Sequence, residues 1–226
     1  MSPSSEASLP RFSRGERWAH RVLGILVGAL LITGAFLFFP DLGSLVGNRQ
    51  IVTTVHDVAG WLVPVPLVLA LFSRAFRADA GRLNRFSPAD WQWLRSRDRR
   101  SGRIRVGKFN AGQKLNASLT LGALIVLFGT GMVMFWSSLF SDSIRTGATF
   151  VHDWVSLALG LLVLGHIWMS FNDATARAGM RTGSVPLTWA EREHPAWAQE
   201  MLDTADQRPA SAATPSSSRS TSSAVE

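Results

Sequence analysis

Four of the five histidines, His20, His56, His152 and His166, lie in or beside long apolar runs, while His194 stands in a polar segment. Imidazole inside a membrane has few uses: it bridges helices by hydrogen bonds, carries protons or binds a metal. Ionisable groups there are costly and usually functional. The stretch "VHDWVSLALGLLVLGH" holds His152 and His166, fourteen residues apart. On a helix that interval is ~21 Å along the axis and ~40° round it from a perfect stack. One helix then presents two imidazoles to the same side at two depths. With a second imidazole opposite each, both levels could bind the iron of a b-type haem from above and below. A lone membrane histidine is more often a hydrogen-bonding residue, so partners at matching depth decide the question.

The elements that position these residues are apolar runs near the ~20 residues a spanning helix needs. They cover about 18–39, 51–72, 115–136 and 148–171. The fold class is therefore all-α, an integral membrane four-helix bundle. The first run reads as a retained span, because it is long for a signal peptide and "FLFFPDL" follows where a small-residue cleavage site would stand. Mean hydropathy is only +0.13, an average over these runs and polar, basic flanks. Residues 1–10 are a polar lead, 11–201 the membrane domain with a loop over 73–114, and 202–226 a tail rich in Ser, Thr, Ala and Pro that lacks the apolar content to fold.

The 226 residues carry 23 basic and 16 acidic side chains, net +7. In a soluble chain that excess would raise nucleic acid as a partner. Here it marks topology. Twelve Lys and Arg lie between Arg74 and Lys114, and Arg11, Arg14, Arg17 and Arg21 precede or open the first span. The other two loops hold only Arg49 and Arg145. Both termini and the central loop are thus expected in the cytoplasm. There is no cysteine, which excludes disulfides, Cys-ligated iron–sulfur clusters and covalent haem attachment within this chain.

Topology converts sequence position into depth. His20 begins the first span at its inner end. His56 lies about five residues into the inward-running second span, within ~8 Å of the outer end. His152 matches it in depth on the fourth span, and His166 returns to the level of His20. The expected pairs are His56 with His152 near the outer face and His20 with His166 near the inner face. Met132, Met134 and Met169 are alternative ligands, the first two reading better as packing residues. Gly34, Gly129 and Gly131 allow close approach of a helix or a porphyrin. Pro64 and Pro66 should kink the second span. Arg17, Arg21, Arg49 and Arg145 stand at levels suited to haem propionates, or simply mark topology.

In "SPADWQWLRSRDRR", Ser87, Pro88 and Asp90 signal a helix start, and Trp91, Trp93 and Leu94 suit either an inner membrane surface or a plain solvated helix. In "TWAEREHPAW", Thr188 and Glu191 offer another cap. A faint internal echo links "TVHDVAGWLVP" with "FVHDWVSLALG", and "ITGAFLFF" with "GTGMVMFW". Common geometry and a true repeat both account for it.

The chain resembles the membrane cytochrome b (gamma) subunit of respiratory formate dehydrogenases over about Arg11–Met201. The resemblance rests on "RFSRGERWAHR", "TTVHDVAGW", "GKFNAGQKL", "VHD" with the fourteen-residue histidine interval, and "GSVPLTWAEREHPAW". "KFNAGQK" is the most specific of these. The histidine pattern is shared with the cytochrome b subunits of nickel–iron hydrogenases and thiosulfate-type reductases. The resemblance implies two haem b, with the same ligand pairs as the depths give. It also implies a quinone, menaquinone or ubiquinone, near the inner haem beside Asn110, with Gln113 and Lys114 as second-rank contacts by position. Asn110 also suits the cap of the third span. The implied partners are an iron–sulfur subunit at the outer face and a molybdenum or tungsten subunit that performs the formate chemistry, all at the bacterial cytoplasmic (inner) membrane.

The expected role is an electron conduit from the outer face to a quinone near the inner one. A hydrogenase or thiosulfate-type donor changes only the partner. A haem-free anchor or small transporter with pH-sensing histidines is a reading of another class, and a b-type absorption band separates it from the first two.

Overall fold

The computed structural model describes residues 7–99 and 101–207. Its long helices open where side chains replace the partners missing from a first helical turn. Ser13 and Glu16 form a reciprocal capping box before α1 (Arg14–Phe38): Ser13 N–H donates to Glu16 Oε2 at 2.7 Å and Glu16 N–H to Ser13 Oγ at 3.2 Å. After α2 (Pro40–Val46), Gly47 turns the chain at φ 68° and Asn48 caps α3 (Arg49–Leu62), accepting from Ile51 N–H at 3.2 Å. Pro64 and Pro66 supply no N–H, so the second span breaks at Val63 and resumes as α4 (Pro64–Ala70). Helices α5 (Arg74–Leu83) and α6 (Pro88–Arg95) follow in the basic loop. Then come α7 (Ala111–Phe135) and α8 (Asp142–Phe171), the remaining spans.

All four spans start ahead of their apolar runs, at Arg14, Arg49, Ala111 and Asp142. Their first turns are polar and need caps rather than lipid. The ends differ from the sequence in three further places. Ser8–Pro10, expected as part of a polar lead, forms strand β1. It pairs antiparallel with β2 (Ser184–Pro186), Leu9 opposite Val185. After α9 (Ala174–Thr182), α10 (Leu187–Glu193) begins with Pro186 at its cap, so Thr188 lies in the first turn instead. Finally, α11 (Pro195–Asp206) runs past the expected start of the tail, whose residues 208–226 lie outside the described ones.

Helix α1 packs on α3 and α4, and α7 packs on α8. These two halves meet around Val27, Val63, Leu124 and Leu159, one buried residue from each span. Outside this seam the helices are apolar and bare. Ile25, Ile32, Ile125, Leu161, Leu164 and Trp168 are each more than 60% exposed, a surface that suits hydrocarbon and not water.

The end that carries both terminal segments and the basic loop has cores of its own. Val185, Trp189, Ala190, Trp197 and Ala198 form one, and Trp93, Val106 and Ala111 another. Trp93 was expected at the membrane surface or in solvent but is buried against α7. Its ring lies 3.1 Å from the point a Cβ would occupy at Gly112. Arg11 is 3% exposed beneath this end and is stacked 4.7 Å from the Trp189 ring. It donates to Lys108 O and to His194 Nε2, both at 3.0 Å. Because Arg only donates, His194 carries its proton on Nδ1 and gives it to Gly107 O at 2.7 Å. Burial lowers the Arg11 guanidinium to about 10, against the opposing pull of Asp173 and Asp79. His194 thus ties the C-terminal helices to the segment that leads into α7.

Candidate functional site

The fold brings the four span histidines together as two pairs. The His56 and His152 ring centroids are 6.3 Å apart, and those of His20 and His166 are 6.1 Å apart. Each pair joins the two halves of the bundle: α3 to α8 at one level, α1 to α8 at the other. Leu159 lies midway between His152 and His166, seven residues from each, and belongs to the buried seam. Val27 and Val63 stand seven residues after His20 and His56. A buried apolar layer therefore separates the two levels.

The spacing has a chemical meaning. With metal–imidazole bonds of ~2.0–2.1 Å and each nitrogen ~1.1 Å from its ring centroid, coaxial rings flanking one metal stand ~6.3 Å apart. Both observed separations fall there, whereas direct imidazole contact through a hydrogen bond would leave no place for an ion. The donor set is also informative. Among the described residues no group of three His, Cys, Asp or Glu gathers at any point. A bare Zn²⁺ would want four ligands. Two imidazoles suffice when the cofactor itself supplies four nitrogens, as a porphyrin does. The residues present fit a haem at each level.

The outer pair has a built surrounding of which the sequence pointed to the glycines, Gly34 and Gly131, but not to the threonines. Thr33 Oγ1 lies 2.9 Å from His56 Nδ1, and Thr130 Oγ1 lies 2.9 Å from His152 Nδ1. The next residue is glycine in both helices. A Cβ at Gly34 or Gly131 would sit 3.6 Å from the Cε1 of the facing histidine. With Nδ1 occupied by a hydroxyl, Nε2 is the nitrogen left to a metal. The signal was present in the repeated Thr-Gly of "ITGAFLFF" and "GTGMVMFW", but only the helix azimuths show that it faces the histidines.

Near the inner level an added Cβ at Gly24 or Gly165 would meet nothing within 4 Å. The arginines matched to haem propionates all have protein partners. Arg17 and Arg21 donate to Arg181 O, Arg49 to Leu37 O at the end of α1, and Arg145 pairs with Asp142.

The three residues considered for quinone contact divide into two kinds. Asn110 Oδ1 accepts from Gln113 N–H at 2.9 Å, and Gln113 Oε1 accepts from Asn110 N–H at 3.0 Å. This reciprocal box engages both amides through their oxygens, which leaves both –NH2 groups as donors. Lys114 is different. It is 8% exposed and donates to Asp90 Oδ2 at 2.7 Å and to Arg85 O at 2.8 Å. Burial would raise the Asp90 carboxyl, but hydrogen bonds from Lys114 and Ser87 outweigh it and hold the group below its ordinary value.

A helical bundle with apolar spans and depth-matched imidazole pairs has the architecture of a membrane b-type cytochrome. The chain belongs to the prokaryotic cytochrome b561 family, which it matches over residues 11–178. It is a multi-pass membrane protein of a haem b family. It is 27% identical over 204 residues to the cytochrome b556 subunit of formate dehydrogenase from Haemophilus influenzae, covering 87% of this chain and 85% of that one. Similarity to the cytochrome b556(Fdn) subunit of the nitrate-inducible formate dehydrogenase of Escherichia coli K12 is 25% over 197 residues, 82% of this chain and 88% of the other. The cytochrome b556(fdo) subunit from the same strain is 20% identical over 210 residues, 89% and 97% of the two chains.

Proposed function

We propose that this chain is the cytochrome b subunit of a respiratory formate dehydrogenase, passing electrons from an outer-face iron–sulfur subunit to a quinone at the cytoplasmic face of the bacterial inner membrane. The observation that carries this reading is the pair of histidine couples at bis-imidazole spacing, 6.1 and 6.3 Å, at two depths of one bundle. His56 and His152 are the ligands of the outer site, and His20 and His166 of the inner one. Bound haem b at each level supplies one-electron carriage along the bundle.

The protein's own residues do the rest. The layer of Val27, Val63, Leu124 and Leu159 keeps water and ions from crossing between the levels. The excess of Lys and Arg at the end bearing His20 supports a cytoplasmic position for that end. Asn110 and Gln113 present amide donors at the same end, suited to the carbonyl oxygens of a quinone. Lys114 is committed to Asp90 and serves the site by holding α6 against α7. Formate oxidation belongs to a separate molybdenum or tungsten subunit, consistent with the names of the formate dehydrogenase relatives.

The purified chain, reduced minus oxidised, should give a b-type band, with about two haems per chain by pyridine haemochrome. Absence of the band sinks the electron-transfer reading. Asn110→Ala should slow quinone reduction while both haems remain, and loss of haem instead would make Asn110 purely structural. Co-purification with a dehydrogenase that does not oxidise formate would overturn the choice of donor.

A further inference from the structure

The two levels differ in what stands behind the imidazoles. At the outer level each histidine meets a threonine hydroxyl from the facing helix, at 2.9 Å in both cases. Thr33 Oγ1 is 2.9 Å from His56 Nδ1 and 2.7 Å from Ala29 O. Thr130 Oγ1 is 2.9 Å from His152 Nδ1 and 2.8 Å from Val126 O. A hydroxyl has one proton. Inside a helix that proton goes to the carbonyl four residues back, here Ala29 O and Val126 O. The oxygen lone pair is left for the histidine, so His56 and His152 carry their protons on Nδ1 and donate them to threonine. At the inner level, among the described residues, neither His20 nor His166 makes a hydrogen bond through its ring.

We propose that Thr33 and Thr130 are positioning residues that lock the tautomer and rotation of His56 and His152 and hold the outer iron at a lower reduction potential than the inner one. The proposal rests on the haem reading above. Its physical basis is the hydrogen bond on the far ring nitrogen. Pulling the Nδ1 proton outward makes Nε2 a stronger donor, and outer-shell partners of ligating histidines act this way in metal sites generally. A stronger donor favours the more positive, ferric state. Both histidines of the outer level would receive this push, and neither histidine of the inner level would receive it from a side chain. The resulting difference runs downhill from the outer level to the inner, the direction in which electrons must travel. Gly34 and Gly131 follow the two threonines. A Cβ at either position would lie 3.6 Å from the Cε1 edge of the facing ring, in ordinary contact, so both positions border the imidazoles.

The test is a potentiometric titration of the haem-loaded full chain, comparing wild type with Thr33→Val, Thr130→Val, the double variant, and Thr33→Ser and Thr130→Ser. Valine matches threonine in shape and removes the hydroxyl acceptor, while the backbone carbonyls of Leu30 and Leu127, which also face the two rings, stay in place. Expected are two transitions in wild type, with the lower midpoint shifting upward in each valine variant and further in the double. The upper midpoint should stay in place, haem content should stay at two, and serine should restore wild-type values. A valine variant with full haem and an unmoved lower midpoint overturns the proposal, as does a shift confined to the upper one. Should valine cost the outer haem altogether, the serine variants decide. Retention with a wild-type midpoint supports the proposal, and loss overturns it. A wild-type chain with no b-type band removes the haem reading itself. Two titrating haems whose potentials ignore both threonines remove only this inference.

Discussion

Lys114→Met separates a structural lysine from a quinone-binding one. Methionine keeps most of the apolar stem and removes the ammonium. The side chains of Lys114 and Asp90 are 10% and 6% exposed, with Nζ and Oδ2 2.7 Å apart. Removing one partner leaves the Asp90 carboxylate buried without a cation, which costs ~3–5 kcal/mol. For a chain of this length each kcal/mol is ~2–4 °C, so the midpoint of thermal unfolding should fall by ~6–20 °C. Adding Asp90→Asn removes the stranded charge. What remains is the donor lost by Arg85 O, worth ~1 kcal/mol, so the double variant should return to within ~2–4 °C of wild type. The Asp90 carboxyl is depressed in the fold, so its contribution is present above the unfolded carboxylate value of ~3.9 and is lost as pH falls. The margin of wild type over the double variant should therefore shrink below about pH 4. Thermal denaturation in detergent by far-UV circular dichroism reads all of this. A single variant within ~2 °C of wild type, or a double variant no better than the single, refutes the reasoning. The KM for quinone should be unchanged in the double variant, and a raised KM would place Lys114 on the quinone after all.

Three further outcomes follow from other parts of the structure. His56→Ala and His152→Ala should each remove the same one of the two redox transitions, and His166→Ala the other; loss of one common transition in all three contradicts the pairing. Asp79 is pushed up from 3.8 to about 6, chiefly by burial and with Glu16 adding, against the Lys108 ammonium 2.5 Å away. A carboxyl raised in this way stabilises most below its unfolded value and loses that contribution as pH rises through about 6. Asp79→Asn should then flatten the dependence of the unfolding midpoint on pH between about 4 and 6, and an unchanged slope would reject the assignment. Gly112→Ala places a Cβ 3.1 and 3.3 Å from two atoms of the Trp93 ring. It should destabilise by ~1–3 kcal/mol in the same denaturation assay, through overpacking.

The spans and the histidine pairs were legible because both follow from fixed helix geometry. A rise of ~1.5 Å per residue turns sequence intervals into depths without any knowledge of the neighbours. Helix starts were legible where a capping box is local, as at Ser87 with Asp90. What escaped were contacts whose partners lie far apart in the chain. Ser8–Pro10 is too short to show a strand period and becomes a strand only because Ser184–Pro186 lies beside it. Trp93 looked interfacial or solvated because nothing in its own segment announces Gly112. The threonines escaped for a related reason. Depth is one coordinate, but a hydrogen bond needs the azimuth of two helices as well, and no interval in the sequence supplies that.

The internal echo becomes a repeat once the elements are aligned, and the repeat identifies the level at which the two halves differ in ligands. Helices α1 and α7 correspond residue for residue at an interval of ninety-seven. Both are 25 residues long, capped by Ser13 and Asn110 with Glu16 and Gln113 closing the boxes. Val27 matches Leu124, Thr33 matches Thr130 and Gly34 matches Gly131. Helices α3 and α4 correspond to α8 at an interval of ninety-six, His56 with His152 and Val63 with Leu159. The outer pair is thus assembled from equivalent positions and treats both halves alike. The inner pair is not. His20 stands where α7 has Ala117, and His166 stands where α4 has Ala70. A symmetric site suffices to pass an electron, since an electron has no side to enter by. On the proposed reading, a quinone at the basic end must bind from one direction, meet donors on one side and collect protons there. Asn110 and Gln113 stand at the start of the helix that lacks the inner histidine, where Ala117 leaves room that His20 fills on α1. The departure from symmetry falls at the level where the proposed chemistry needs a direction.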